Sequence, residues 1–398
     1  MKKTITTITL GLLFSLSSFA TVRTVNNSTT TPGNPGQFAT IETAFAAASP
    51  GDTLLVKGSL TPYTLAPSTS SGTLLINKRI CIIGEGYKPK GVAEYRSIIS
   101  GIFSFSSISA SGTSILGLYG ADIRFTSTSI RLNNITIRRN YLTNIFLSDS
   151  TYNTVIAENI FSGFISLNSG GPYDLPKHVN LKISNNIFLG ANNGVLGNSY
   201  AYEIKNNLFL DGTFSSPLSS NPTSIMSHYG ASNGAGRMTN AVISNNIFYN
   251  KAVYNTNLST GYYAPISCSF NNNISYCAVT NTTFSSISGN SSSGNLDNTD
   301  PGYSNLFTNI TANKIINGYD LFNIRISNSS PARNAGTDGT DIGPTGGAYP
   351  IYNNVLANEQ LSGEPPLPQV RSANFTNNVN AVQTGGTLQI NVTGRKRN

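Results

Sequence analysis

Ile183-Ser184-Asn185-Asn186-Ile187-Phe188 is one of six segments of this chain that share a single pattern. In each segment the fourth residue is Asn, Ile or Phe stands three residues before it, and Ile, Leu or Tyr follows it. Asn tolerates the left-handed backbone conformation better than other non-glycine residues, so the pattern predicts a strand, a sharp corner at the shared Asn, and a second strand. The other five segments are Ile137–Leu142, Ile156–Phe161, Ile204–Phe209, Ile243–Phe248 and Phe270–Ser275.

Recurrence of this corner predicts a solenoid. The shortest interval between shared asparagines, from Asn140 to Asn159, has the length of one coil of short strands, and the longer intervals fit coils with insertions. We expect stacked coils ~4.8 Å apart, with the flanking apolar residues facing a shared interior and the Asn side chains hydrogen-bonded along the stack. Only 11% of the residues are charged, which favours strands and turns over helices.

Both ends of the repeat region carry further motifs. Phe38, Thr40-Ile41, Ala44, Ala47-Ala48 and the run from Pro50 to Leu54 precede it, and Asp300-Pro301, Tyr319-Asp320, Ser330-Pro331-Ala332, Ala335-Gly336 and Asp341-Ile342-Gly343 follow it. With the Asn-Asn-Ile-Phe corners, they make residues 38 to 345 resemble the pectin-lyase-like family of secreted bacterial proteins. Arg333-Asn334 departs from the Ile-Asp pair that is more usual there. The resemblance implies an all-β, single-stranded right-handed parallel β-helix with an N-terminal helical cap and C-terminal capping strands. It says little about function, because this fold hosts lyases, hydrolases, esterases and inert surface proteins.

Four regions follow from these patterns. Residues 1–20 have the charged start, apolar stretch and small-residue cleavage site of a signal peptide. Residues 21–96 are expected to form the N-terminal cap and first coils, and residues 97–349 the β-helix. Residues 350–398 combine a proline-rich linker with an extension of one or two strands, which we expect to dock on the stack and protect an open edge.

The sequence also limits which partners and which cellular location are expected. A cleaved signal peptide predicts a secreted or envelope-associated protein, and no later stretch is long and apolar enough to span a membrane. The net charge of +8 comes from scattered basic residues rather than from the basic stripe of a nucleic-acid-binding protein. We expect a monomer without a cofactor. Of the three cysteines, Cys268 and Cys277 flank a predicted corner and should lie too far apart for a disulfide.

Alignment of the coils pairs several charges. Arg139 and Glu158 occupy the same position in consecutive coils and should form an exposed ion pair, worth ~0–1 kcal/mol. Lys182 and Glu203 also share a position and should pair in the same way.

The remaining polar residues concentrate in insertions that precede corners of this kind. The first runs from Gly163 to Asn180, the second from Asp211 to Asn240, and a third brings tyrosines before Asn273. We predict that they wall a groove on one side of the stack, where tyrosine rings could stack on sugars; mere decoration of the solenoid is the alternative. The predicted substrate-binding residues are Tyr173, Asp174, Asp211, Tyr229, Tyr262 and Tyr263.

The candidates for catalysis are few. β-Elimination on a uronate polymer needs a cation to neutralise the carboxylate and a base to take the α-proton. Lys177, His178, His228 and Arg237 are of the right types, but no spacing brings them together. No repeated acidic column predicts a calcium site, so no metal is expected. The nearest acid pairs, Asp297/Asp300 and Asp338/Asp341, are assigned to turns rather than to glycoside hydrolysis.

The sequence therefore favours a secreted or envelope-associated β-helix that engages polysaccharide through loops on one side, without catalysis. A polysaccharide lyase acting on an acidic polymer is the alternative, with His228 or Lys177 as base and Arg237 neutralising the carboxylate. A purely structural stack is the third possibility.

Overall fold

The computed structural model describes residues 20–28, 36–65, 72–86, 96–125, 131–147, 151–167, 177–189, 194–197, 200–210, 238–249, 253, 265–276, 284, 288–302, 326–351, 369–375 and 390–395. Of the predicted signal peptide, only Ala20 lies within these ranges.

Three parallel sheets build the solenoid: sheet I extends through all the described coils, sheet III lies in the earlier coils and sheet II in the later ones, and the middle coils contribute to all three. Sheet I, the longest, has 14 strands. Its strands are β1 (Val22–Val25), β2 (Gln37–Phe38), β3 (Thr53–Val56), β6 (Cys81–Ile83), β9 (Ser114–Leu116), β11 (Leu132–Asn133), β12 (Thr136–Arg138), β15 (Thr151–Tyr152), β16 (Val155–Ala157), β19 (Lys177–Ser184), β22 (Tyr200–Lys205), β24 (Val242–Ser244), β26 (Ser269–Asn271) and β28 (Ser291–Ser293).

Sheets II and III have six strands each. Sheet II contains β13 (Tyr141–Leu142), β17 (Ile160–Phe161), β20 (Ile187–Leu189), β23 (Leu208–Leu210), β25 (Ile247–Tyr249) and β27 (Ile274–Tyr276). Sheet III contains β5 (Thr73–Ile76), β8 (Ile102–Phe105), β10 (Asp122–Phe125), β14 (Ile145–Leu147), β18 (Ile165–Leu167) and β21 (Val195–Gly197). A short parallel pair, β4 (Tyr63–Thr64) and β7 (Ile99–Ser100), and a 3-10 helix, Ile108–Ala110, complete the coils. The predicted right-handed parallel β-helix is confirmed.

The predicted helical cap is helix α1 (Ile41–Ala47). Thr40 caps its N-terminus, because its hydroxyl accepts a hydrogen bond of 3.2 Å from the backbone N–H of Thr43. Ile41, Ala44 and Phe45 are buried and continue the apolar interior at this end of the stack.

The corner between sheets I and II lies one residue earlier than predicted. The left-handed residue is the third of each segment: φ is +57° at Arg139 and Glu158, and +58° at Asn245. The shared fourth Asn is instead buried, and its side chain links the coils. In each pair of neighbouring coils its Oδ1 accepts the N–H and Nδ2–H of the preceding Asn, as Asn186 Oδ1 does from Asn159 at 3.0 Å each. This ladder passes through Asn140, Asn159, Asn186, Asn207, Asn246, Asn273 and Asn295.

The two apolar residues after each shared Asn point in opposite directions, so the prediction that all flanking residues face one interior was wrong. Side chains alternate along a strand, so Phe188 faces the inside of the coil while Ile187 faces outward. The inward rings stack at centroid distances of 4.8 to 5.0 Å. They belong to Phe161, Phe188, Phe209 and Phe248.

The outward column is covered by residues 326–351, which we name the closing strap. Ile326, Ala332 and Ile342 of the strap form a second apolar cluster with the outer face of sheet II. The acids of this end make turns, as predicted: Asp338 Oδ1 accepts from the Thr340 backbone at 3.1 Å and Asp341 Oδ1 from the Asn334 backbone at 3.0 Å. Asp297 and Asp300 likewise accept backbone N–H groups, of Phe284 and Gly302.

The Arg139–Glu158 pair is present but is not exposed as predicted. The Glu158 side chain is only 5% exposed and binds Arg139 at 2.9 Å, and Arg138 also donates to it. The strap explains the burial, since the Tyr349 ring lies 4.5 Å from the Arg138 guanidinium carbon. Lys182 and Glu203 are register partners, as predicted, but the ion pair of Glu203 within the described residues is with Lys205, at 3.8 Å.

Two further predictions concern the C-terminal strands and the cysteines. Strands β29 (Gln369–Phe375) and β30 (Ile390–Arg395) pair with each other, antiparallel, and form a two-stranded sheet. The docking of this extension on the stack stays a prediction. Cys268 is a free, buried cysteine, as predicted, whereas Cys277 lies outside the described residues.

Candidate functional site

The outer face of sheet III carries an unusual group of side chains. Along each strand the inward residues are apolar, such as Ile123 and Ile145, which are 0% exposed. The residues between and just before them face outward and are partly exposed: Asp122, Arg124, Asn144, Phe146 and Phe164. Parallel register between β10, β14 and β18 places them on three consecutive coils, ~4.8 Å apart. We name these five residues the sheet III cluster.

An arginine and two aromatic rings form its apolar part. The Arg124 guanidinium carbon lies 5.0 Å from the centre of the Phe146 ring. Phe146 in turn meets Phe164 edge to face, with ring centroids 5.4 Å apart and an interplanar angle of 84°. The Arg124 side chain keeps 43% of its surface exposed, so a cation above an aromatic face borders solvent.

Asp122 and Asn144 hold this group in place. Asp122 Oδ1 accepts the backbone N–H of Asn144 at 2.9 Å, and Asn144 Oδ1 accepts the N–H of Phe164 at 3.1 Å. Asp122 Oδ2 lies 3.9 Å from the Arg124 Nη2, which is too long for a hydrogen bond. The Nε–H of Arg124 is buried and has no acceptor among the described residues. A ligand would therefore meet the exposed part of the Arg124 side chain rather than its buried Nε–H.

Two of the insertions connect to this side of the molecule. The first joins the end of β18, close to Phe164, to β19. The second joins β23 of sheet II to β24 of sheet I. In earlier coils, the chain forms a strand of sheet III between its strand of sheet II and its next strand of sheet I. Eight predicted site residues lie outside the described residues: Tyr173, Asp174, Asp211, His228, Tyr229, Arg237, Tyr262 and Tyr263.

His178 does not lie in a loop as predicted. It belongs to β19, directly after Lys177, and its side chain is 0% exposed in the interior of the solenoid. Its Nδ1 is 3.0 Å from the Thr151 hydroxyl, and its Nε2 is buried and has no hydrogen-bond partner among the residues that the structure describes. Burial lowers the pKa of His178 to about 3, because the cation cannot be hydrated there. His178 therefore faces no substrate, and its predicted catalytic role fails on geometry.

This buried histidine gives a pH prediction. The unfolded chain protonates His178 near its ordinary value of 6.5 and the folded chain only near 3, so stability is complete above pH 6.5 and is lost as the pH falls between these values. As the pH is lowered through this range, we expect the free energy of unfolding of the wild type to fall more steeply than that of His178→Leu. The difference between the two slopes should be about 1.4 kcal/mol per pH unit. Urea unfolding at pH 6 and pH 4 measures it, and equal slopes in both proteins would contradict it.

The described residues offer few other reactive groups. They contain no cluster of three or more His, Cys, Asp or Glu side chains that could hold a metal ion. Burial raises the pKa of the Cys268 thiol to about 11, so it is not a thiolate nucleophile near neutral pH.

Comparison with solved structures gives a likeness of fold. The chain is similar to the structure titled "Crystal structure of pectate lyase Pel9A", with 13% sequence identity and a TM-score of 0.39, over 82% of this chain and 97% of that one. No family model matches the sequence. No curated protein matches it significantly. In the part of the chain that the structure describes, none of the helices has the length and apolarity needed to cross a membrane.

Sequence reasoning missed the sheet III cluster. Arg124 and Phe146 stand in ordinary alternating strands, and Phe146 is flanked by the inward residues Ile145 and Leu147. That alternation could have marked both side chains as outward-facing. Only the register between coils shows that they stack on each other.

Proposed function

We propose that this protein is a secreted or envelope-associated lectin-like β-helix that binds an acidic polysaccharide across the outer face of sheet III. The observation that carries the proposal is the Arg124 guanidinium over the Phe146 ring, on a side chain that is 43% exposed. A guanidinium matches a carboxylate by forming two parallel hydrogen bonds. Phe164 offers an apolar surface for the C–H face of the neighbouring sugar.

The insertions extend this proposal. Tyr173, Asp174, Asp211, Tyr229, Tyr262 and Tyr263 would add stacking and hydrogen-bonding groups around sheet III, because two insertions leave or return beside it. A polymer lying across the coils would meet the cluster first and the insertions at its margins. A binding surface of this kind needs no cofactor.

We propose binding without cleavage. Of the four residues considered for β-elimination, His178 is enclosed in the solenoid, which removes one possible base. The alternative is a polysaccharide lyase that uses Lys177 or His228 as base, with Arg124 or Arg237 neutralising the carboxylate. The sheet III cluster itself contains a single carboxylate, that of Asp122, whose Oδ1 accepts the backbone N–H of Asn144, so we assign Asp122 to positioning rather than to acid–base catalysis.

A single experiment separates these functions. Affinity electrophoresis of residues 21–398 in gels containing polygalacturonate, alginate or a neutral glucan measures binding, while the absorbance of unsaturated uronate follows cleavage. We expect retardation by an acidic polymer, a loss of affinity of about tenfold to a hundredfold in Arg124→Ala, and no new absorbance. Arg124→Lys should recover only part of the affinity, because lysine lacks the planar fork.

Arg131→Ala is the matched control, since Arg131 is an exposed arginine outside the cluster and its loss should leave retardation unchanged. Phe164→Ala should weaken binding to every retarding polymer without changing the preference for acidic ones. If no polymer retards the wild type, glycan binding is refuted. Absorbance that grows in the wild type and disappears in His228→Ala would establish the lyase instead.

A further inference from the structure

The closing strap covers a face that is apolar along its length. The outward residues of sheet II that follow the six shared Asn are all buried although they lie outside the coils, and five of them are 0% exposed. These five are Ile160, Ile187, Leu208, Ile247 and Ile274. Ile326, Ala332 and Ile342 of the strap belong to the same cluster. Without the strap, these coils would present a continuous apolar strip to water, which a soluble monomer rarely tolerates.

The strap runs along the corners from the last coils towards the first. Its backbone is held by side chains at the left-handed corner positions, the residues just before the shared Asn. Asn245 accepts the N–H of Thr337 at 2.9 Å, and Asn206 donates to the carbonyl of Asp341 at 3.1 Å. Asn272 and Asn185 donate in the same way to Ala335 and Pro344, at 2.8 and 3.2 Å.

The far end of the strap meets a different pair of corners. There the left-handed residues are Arg139 and Glu158, which have no amide to offer. Glu158 instead fixes Arg138, over which the Tyr349 ring packs at 4.5 Å. The Asn corners thus contact the backbone of the strap. The charged corners lie where the strap makes its contact through a side chain, that of Tyr349.

We propose that the closing strap is a separate folding unit that docks last and completes the solenoid. Each coil needs only its neighbours, whereas the contacts of the strap with the corners join residues 63 (Asn272 and Ala335) to 211 (Arg138 and Tyr349) positions apart. Closing such long loops is entropically costly, so it follows the local stacking of coils. In a chain exported from its N-terminus, the solenoid would stay unfinished until the C-terminal part had crossed the membrane.

Pulsed hydrogen–deuterium labelling during refolding of the full chain tests this order. The amides of Ile342 and Gly343, which bond to Ala332 and Asn245, report on the strap. The amides of Ile187 and Leu208, which bond to neighbouring coils, report on stacking. We expect the coil amides to become protected first. Simultaneous or earlier protection of the strap amides would overturn the proposal.

Native-state exchange of a double variant gives an independent test. Asn206→Gly with Asn245→Gly removes strap bonds while keeping the left-handed backbone unstrained. We expect exchange at Ile342 and Gly343 to rise about tenfold or more, with Ile187 and Leu208 within about twofold of the wild type. Asn240→Gly is the matched control, because Asn240 has φ of +53° at an exposed corner away from the strap, and it should change nothing. An equal rise at all four amides would refute a separate unit.

Discussion

Phe188→Ala is expected to lower the free energy of unfolding by about 3–5 kcal/mol, because it removes a buried ring from the middle of a stack. Phe188 is 0% exposed and lies between Phe161 and Phe209, with ring centroids 4.9 and 4.8 Å away. The neighbouring rings are fixed to strands that pair along the whole helix, so they cannot close the space.

Urea unfolding followed by circular dichroism measures this effect. Phe146→Ala is the matched control, a phenylalanine in a strand of sheet III whose ring lies on the outer face and is partly exposed. Its loss should cost about 1 kcal/mol, since little cavity forms at a surface. If the two variants lose the same stability, the inward stack does not hold the coils together.

Asn186→Ala is expected to cost a similar amount, about 3–5 kcal/mol, although the side chain is polar. Its Nδ2 donates to the carbonyl of Ile156 at 2.9 Å, and its Oδ1 accepts two bonds from Asn159. All these partners are buried, so the substitution leaves several polar groups without water or protein, at ~1–3 kcal/mol each.

The comparison variant is Asn153→Gly, which removes an exposed corner Asn that accepts one amide bond from Asn180. It should change stability by less than about 0.5 kcal/mol. The free energy of unfolding of Asn186→Ala could instead lie within 1 kcal/mol of the wild-type value. The Asn ladder would then be a consequence of coil stacking and would not stabilise the coils.

The candidate site was less predictable than the fold. Tyrosines and histidines in insertions attracted attention because they are chemically versatile, yet His178 is part of a strand with its ring enclosed. The Arg124–Phe146–Phe164 group has no motif in the sequence. It arises because one coil length puts Arg124 in register with Phe146, and the next places Phe164 two residues before Ser166, the register partner of Phe146. The coil length differs between these two steps, so no fixed spacing in the sequence marks the group.

The sequence by itself determined the solenoid, because a corner motif repeated at coil-length intervals leaves few ways to bury its apolar residues. It also located the helical cap and the turn-making role of the closing acids, which are set by local chemistry. Only the tertiary structure decided which residue of the corner is left-handed, which side of sheet II each apolar residue faces, and that the C-terminal strap covers the outer side. Those outcomes depend on contacts between residues as many as 211 positions apart, such as Arg138 and Tyr349, which no local pattern encodes.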